Sequence, residues 1–555
     1  MEILRGEGVS SGIAFGIIHF SGKERSHAEK RIVEDWQGET VRYEKAREKA
    51  TGELEKLYAQ TLEKLGEENA QLFEIHRMML EDPDFSGCIT EMIRKEHVNA
   101  ECAVEAAAHR FSDLFSSMED EYMQGRAADV KDISHRLLRI LENGSDETAG
   151  PEKQQGAVIL AGDDFTPSET AQLDTTHVCA LLTQEGSRNS HTAIFARTMG
   201  IPAVIGLGEL LQPQLEGMDC IADGFTGEVL LSPTAETKAA YLEKQQKELE
   251  HRHGLEAYRN RESITKEGRR LPVCANIGGP RDLAAALKNG AEGVGLFRSE
   301  FLYLERPDFP SEEEQFRAYR EAASAMEGKR VVIRTLDIGA DKQAEYFHLP
   351  KEENPALGMR AIRLCLTRPE IFRTQLRALC RASAFGKIAV MFPMITSLDE
   401  LRRAKALTQN IQKELAAEHI PFDEKMELGI MIETPAAAII SDLLAKEADF
   451  FSIGTNDLIQ YTLAADRQNR SISSFCDPHH EAVMRLIRLT CKHARENRIW
   501  VGVCGELAAD PSLTTEFLSL GIDELSVAPP SILPIRAAVC ENGPLSLHPL
   551  REEGL

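Results

Sequence analysis

Disulfide chemistry is the first thing the sequence lacks: eleven cysteines lie scattered, an odd number with no Cys-x-x-Cys pair, which reads as reduced thiols in a cytosol. No apolar run approaches the ~18 residues that a membrane span requires. The opening Met1-Glu-Ile-Leu-Arg5 has no charged-then-apolar signal layout. Positive charge is short, with 64 Lys and Arg against 89 Asp and Glu and a net charge of −25, so a polyanion such as nucleic acid would be repelled. A basic protein partner remains open, as does an anionic substrate gathered by a local arginine cluster. A nucleotide phosphate loop, Gly-x-x-x-x-Gly-Lys-Ser/Thr, is also missing. The expectation is a soluble, cytoplasmic protein without membrane insertion.

What is present exceeds one core, since 555 residues predict two to four domains. Residues 1–20 read as short strands broken by glycines. Between Lys30 and Asn143 the apolar residues step by three and four: Leu54, Leu57, Thr61 and Leu65; Leu72, Ile75 and Met79; Val104, Ala107, Phe111 and Leu114; Val130, Ile133, Leu137 and Ile140. That period predicts about four amphipathic helices in a bundle. Residues 145–231 return to strands and turns, at Gly156–Ala161, Val178–Leu182, Ala203–Ile205 and Glu228–Leu231, which residues 1–20 should join with the bundle as an insertion. Thr234 to Ser263 is charged and rich in helix formers, and predicts a connecting helix of roughly 45 Å at ~1.5 Å per residue. Eight buried-strand candidates follow: Leu271–Ala275, Gly293–Phe297, Arg330–Thr335, Ile388–Met394, Leu428–Ile432, Phe450–Gly454, Trp500–Cys504 and Leu525–Ala528. Helical patterns separate them, the rhythm of a (β/α)₈ TIM barrel. The fold class is therefore multidomain α/β, with a C-terminal barrel and an N-terminal α/β domain carrying a helical insert. The boundaries expected are 1–21 with 145–231, 22–144, a linker at 232–263, and 264–555.

Two places carry chemistry. His191 sits where the apolar run Val178–Leu182 and a glycine give way to a helical pattern near Thr192. Backbone N–H groups at such a helix start favour an anion. The imidazole is either a structural N-terminal residue or a nucleophile that takes up a phosphoryl group; neutral imidazole serves near pH 7 because its ordinary pKa is ~6.5. The second place is the set of C-terminal strand ends, where charges recur: Arg298 and Glu300, Arg334 and Asp337, Glu433, Asn456 and Asp457, Glu506 after Cys504. Arginines 298 and 334 can clamp phosphate or carboxylate oxygens, with Arg467 and Lys342 adding to them. Glu433 and Asp457 have the hard-oxygen character that Mg²⁺ takes together with substrate phosphates. This is a set for phosphoryl transfer from a small phosphorylated acid.

Long motifs, in order, carry a resemblance across nearly the whole chain. They include Gly6-Glu-Gly-Val-Ser-Ser-Gly-Ile-Ala14, Leu72-Phe-Glu-Ile-His-Arg-Met-Met-Leu-Glu-Asp-Pro83, Gly293-Val-Gly-Leu-Phe-Arg-Ser-Glu-Phe-Leu-Tyr303, Gly429-Ile-Met-Ile-Glu-Thr-Pro435 and Val501-Gly-Val-Cys-Gly-Glu506. In these the chain resembles the phosphoenolpyruvate–protein phosphotransferases, enzyme I of the bacterial sugar phosphotransferase system. The resemblance implies that His191 is phosphorylated through Nε2. Arg298, Arg334, Asn456 and Arg467 hold phosphoenolpyruvate, with Lys342 and Arg360 assisting, and Glu433 and Asp457 bind Mg²⁺. Cys504 donates the proton that yields pyruvate. It further implies that the helical insert docks the phosphocarrier HPr and that the barrel forms a homodimer. Glu67, Glu68, Glu74, Glu81, Asp82 and Asp84 would then offer a basic carrier an acidic face, with His76 either in the core or on that surface. The stretch before the nucleophile, Gly186-Ser187-Arg188-Asn189-Ser190-His191, departs from the family's usual Gly-Gly-x-Thr-Ser-His. Met359 and Leu507 replace the family's common Trp and Met. Cys476-Asp-Pro-His479-His480 reads as a loop, having no second pair at zinc spacing. Two other readings are a phosphoenolpyruvate synthase or dikinase, which would need an ATP-binding domain, and a carrier-binding regulator without turnover.

Overall fold

The first strands are short because glycines interrupt them: β1 (Glu2–Arg5), β2 (Glu7–Ser10) and β3 (Ile13–Phe20). The structure is a computed structural model, and it describes residues 2–21, 30–65, 67–117, 121–143, 157–165, 169–170, 173, 177–186, 190–304, 306, 308–339, 345–350, 352–467 and 469–542. Two compact units, 1–249 and 250–555, make up the chain.

Within the first unit, five helices follow β3 among the described residues: α1 (Trp36–Leu65), α2 (Glu67–Glu81), α3 (Pro83–Glu96), α4 (Ala100–Ser116) and α5 (Glu121–Asn143). The periodicity pointed to about four, and α3 is the addition. Asp82 caps it, accepting from the N–H groups of Asp84 (2.7 Å) and Phe85 (3.2 Å), and Pro83 occupies the first helical position, where no N–H is needed. Phe85, Ile89 and Ile93 point its buried face into a core shared with Tyr43, Leu54, Phe73, Val104, Ile133 and Leu137. His76 belongs to that core. It is fully buried, with Nε2 3.1 Å from Asp129 and Nδ1 3.5 Å from Asp132.

The chain then returns to the sheet through β4 (Val158–Gly162) and β5 (Val178–Thr183), helix α6 (His191–Met199), β6 (Ala203–Ile205), β7 (Asp219–Asp223) and β8 (Glu228–Leu231). The strand order is β1-β8-β7-β3-β4-β5-β6-β2. Strands β3 to β6 run parallel and the flanking pairs antiparallel. Strand β7 escaped the sequence reading because aspartates close both of its ends.

Helix α7 (Ala235–Glu256) is shorter than the run of helix formers: 22 residues span about 33 Å at ~1.5 Å per residue. Turns follow from Ala257 to Arg261. The buried Arg536 guanidinium donates to the carbonyls of Tyr258 (3.1 Å) and Arg259 (2.7 Å), groups that a continuing helix would have turned to its own ladder, and also to that of Gly290.

The second unit closes eight parallel strands into a barrel: β9 (Val273–Ile277), β10 (Val294–Arg298), β11 (Val331–Arg334), β12 (Ile388–Phe392), β13 (Glu427–Ile432), β14 (Phe450–Gly454), β15 (Trp500–Cys504) and β16 (Glu524–Val527), with β16 pairing back to β9. These are the eight expected strands, each within two residues of its predicted ends. One set of alternate residues, including Val331, Ile333, Ile430, Ile432, Phe451 and Ile453, packs against the surrounding helices. The other set, Leu296, Val332, Ala389, Met391, Met431, Phe450 and Cys504, fills the interior. At the N-terminal end Arg330 lies 4.0 Å over the Trp500 ring, which stacks on Phe450 at 4.3 Å. This end is sealed, and the opposite one carries the loops.

Candidate active site

Strand alternation places the charged groups. Two residues beyond the interior Leu296, Val332 and Met431 come Arg298, Arg334 and Glu433, on the same face at the C-terminal mouth. Arg334 is buried and bonds Glu300 at 2.5 Å and Asp337 at 2.9 Å. Arg360, which leads into the short helix Ala361–Thr367, is equally buried. It reaches the other oxygen of Asp337 at 2.9 Å, the Tyr461 hydroxyl at 3.0 Å and Asp457 at 3.6 Å. Burial opposes both guanidinium charges, but the carboxylates outweigh it and hold both arginines cationic, above their ordinary pKa. Arg298 stands exposed at the rim, 4.8 Å over the Phe301 ring.

Glu433 is 1% exposed, and its Oε1 accepts from the Met394 N–H at 2.6 Å. Met394 takes φ 54°, a left-handed conformation that costs a non-glycine residue about 1–3 kcal/mol. Burial pushes the Glu433 carboxyl up, and the charges of Asp457 and Asp337 push it further, against Arg334. Asn456 accepts from the Glu506 N–H at 2.9 Å across the mouth. That contact needs Gly505, which has φ +97° and whose absent Cβ would fall 2.4 Å from Thr455 Oγ1. The Cys504 thiol lies one layer down, bonded by the Ser452 hydroxyl at 3.4 Å, and burial pushes its pKa up to about 12.

The mouth thus brings together Arg334, Arg360, Glu433 and Asp457, with Asn456 and Cys504 beside them. Arg467 is exposed, beyond helix Thr455–Leu463, and its backbone N–H bonds Gln460 at 3.3 Å. Lys342, Ser187 and Asn189 lie outside the described residues. The sequence marked Glu300 and Asp337 as strand-end charges without giving them a task, and Tyr461 with none. Their pairing with Arg334 and Arg360 is a property of the loops' path, which spacing does not encode. Cys476 and its histidines gather no metal cluster among the described residues: His479 pairs with Asp510 at 3.1 Å, and His480 caps helix Glu481–Asn497.

In the first unit His191 is the first residue of α6, and its side chain lies outside the described set. Ser190 caps the helix, its Oγ accepting from Ala193 N at 3.3 Å, and Gly200 ends it at φ 67°. Thr192 pins the start of the helix by donating to Asp164 at 2.6 Å and accepting from Phe165 N at 3.2 Å. Backbone N–H groups that no earlier turn can satisfy surround the position.

Residues 252–542 match the family described as PEP-utilising enzyme, PEP-binding domain. Residues 5–126 match its N-terminal domain and 154–227 its mobile domain. The phosphoenolpyruvate-protein phosphotransferase of Priestia megaterium is 43% identical over 98% of this chain and 95% of its own length. That of Bacillus sp. (strain S) is 44% identical over 97% and 92%, and that of Bacillus subtilis (strain 168) 42% over 97% and 94%. Identity at this level over nearly the whole chain makes it a member of the phosphoenolpyruvate-protein phosphotransferase family of enzymes.

Proposed function

We propose that the protein takes the phosphoryl group of phosphoenolpyruvate onto His191 and passes it to a histidine of the phosphocarrier HPr, releasing pyruvate, as the first step of sugar uptake by the phosphotransferase system. The charge balance at the barrel mouth carries the reading. Among the described residues four carboxyl groups, Glu300, Asp337, Glu433 and Asp457, meet the guanidiniums of Arg298, Arg334 and Arg360. With its buried guanidiniums already matched by carboxylates, such a mouth takes a phosphorylated carboxylic acid far better once a divalent cation joins it. Glu433 and Asp457 fit Mg²⁺, being hard oxygen donors whose mutual repulsion a cation relieves. When bound, the ion neutralises charge on the phosphoryl oxygens.

The chain's own residues do the rest. Arg298 and Arg334 take the phosphate and carboxylate oxygens, and Arg360, Asn456, Arg467 and Lys342 assist. The neutral imidazole of His191 attacks phosphorus through Nε2, and the enolate left behind takes a proton from Cys504. Donor site and nucleophile belong to different units, so the phosphoryl group changes hands between them. We assign the α/β region 1–21 with 145–231 as the phosphohistidine domain, 22–144 as the carrier-docking insert, 232–263 as linker, and 264–555 as the substrate and homodimerisation domain. The acidic docking face is narrower than its composition, because Arg77 pairs with Glu74 at 2.5 Å and with Glu81 at 3.2 Å and Asp82 is engaged as a cap.

The test is incubation with Mg²⁺ and phosphorus-labelled phosphoenolpyruvate beside a His191→Ala control. Acid-labile, base-stable label on the wild type alone, chased onto added HPr and matched by an equal amount of pyruvate, is the expected result. Substrate binding without label would refute turnover and favour the regulator.

A further inference from the structure

The Ser452 hydroxyl sits in the barrel interior with an unusual partner. Ser452 is 4% exposed and shares the inward face of β14 with Phe450 and Gly454. Among the described residues its Oγ is the one donor within hydrogen-bond distance of Cys504 Sγ, at 3.4 Å, while Sγ in turn donates to the Ile453 carbonyl at 3.5 Å. Another inward serine, Ser526 on β16, behaves conventionally and donates to oxygen, to Asn276 at 2.5 Å and to the Ala275 carbonyl at 3.4 Å. Ser452 instead places its hydrogen on sulfur, a weak acceptor as a thiol and a strong one as a thiolate.

We propose that Ser452 is a positioning residue for the proton transfer: it aims the Cys504 thiol and stabilises the thiolate that remains once the proton has left. The inference rests on the reading of Cys504 as the proton donor. In that step the S–H bond breaks and its electron pair stays on sulfur. A C–H bond forms at C3 from the enolate's C=C electrons, and the enolate oxygen becomes the carbonyl of pyruvate. Solvent reprotonates the sulfur before the next turnover. The anion therefore arises at a buried atom within the apolar interior cluster that includes Leu296, Met391, Met431 and Phe450. Burial raises the cost of that charge, and the Ser452 hydrogen bond works against it. Thr455 Oγ1 holds the Cys504 carbonyl at 3.1 Å, which fixes the backbone but gives the sulfur nothing.

The test compares wild type, Ser452→Ala, Ser452→Thr and Cys504→Ala in single turnovers with Mg²⁺ and phosphoenolpyruvate. Quenched samples are assayed for label on His191 and for enolpyruvate against pyruvate. Ser452→Ala is expected to take up label within about twofold of the wild-type rate while ketonisation slows roughly tenfold to a hundredfold, the value of a hydrogen bond to a charged group. Enolpyruvate then accumulates, and Ser452→Thr restores the coupling. Equal loss of label and pyruvate in Ser452→Ala would make the residue merely structural and overturn the inference. Pyruvate keeping pace with label in Ser452→Ala but not in Cys504→Ala would overturn it and leave the donor reading intact. Pyruvate keeping pace in both would overturn the donor reading itself.

Discussion

Replacing Asp337 by alanine removes the carboxylate that ties Arg334 to Arg360, bonded at 2.9 Å to each. All three residues are at least nine-tenths buried, so water does not readily take its place. Breaking a buried ion pair by removing one partner costs about 3–5 kcal/mol, since the other charge is left uncompensated. The loss is partial for both arginines. Arg334 keeps Glu300 at 2.5 Å, and Arg360 keeps Tyr461 at 3.0 Å and Asp457 at 3.6 Å. The lower end, about 3 kcal/mol, is therefore expected. At roughly 2–4 °C per kcal/mol for a large domain, the barrel transition should fall by about 6–12 °C. A chain of two units need not melt in one step, so scanning calorimetry is the assay. The transition that moves should be the one that phosphoenolpyruvate with Mg²⁺ raises. In the double variant Asp337→Ala/Arg360→Ala the loss should undershoot the sum of the singles by about 1–3 kcal/mol, the mark of direct contact. A shift below ~2 °C, or strict additivity, would refute the view that this network is dry and mutually dependent.

Two further outcomes follow from charge. In the helical bundle, burial alone would raise the Asp129 carboxyl, but His76 at 3.1 Å and Arg126 at 2.9 Å hold it below its ordinary range. A depressed folded pKa gives stability that is present above the unfolded value of ~3.9 and lost as pH falls through the folded one. The helical signal of wild type should thus lose thermal stability on acidification below about pH 4, and Asp129→Asn, less stable at pH 7, should show a flatter profile; parallel profiles would sink the assignment. At the barrel mouth, chelating Mg²⁺ should weaken phosphoenolpyruvate binding at least ~10-fold by equilibrium dialysis, a like-charge penalty of about 1.4 kcal/mol or more. Glu433→Gln, which takes away an oxygen donor of the metal where the metal-free carboxyl is already pushed toward neutrality, should bind it much as wild type does without the metal while losing the metal's effect; a variant that kept the full Mg²⁺ effect would contradict the assignment.

The barrel was legible because parallel strands buried on both faces are near-continuous apolar runs, with helical periodicity between them. That same property hid the parity. In Val331-Val-Ile-Arg334 nothing apolar says which alternate set faces inward, and only the terminal charge breaks the tie. A side chain that must stay charged at the end of a buried strand has the mouth to point into, so Arg334 assigns Val332 inward, and Glu433 does the same for Met431 and Gly429. Carried to β14 and β15, which pair with Gly454 opposite Cys504, the rule puts Ser452 and Cys504 on one inward face. What the rule does not reach is contact that depends on loops. Arg360 meets Asp337 across 23 residues of chain, next to Ala361, which takes φ 51°. The bundle's fifth helix and strand β7 were missed for a local reason, since Asp82-Pro83 and the aspartates at 219 and 223 read as punctuation when they are a cap and strand ends. The strand-borne part of the site is therefore inferable from period and parity, and the loop-borne part, Arg360 with Tyr461, is where substitutions should have the least predictable consequences for substrate affinity.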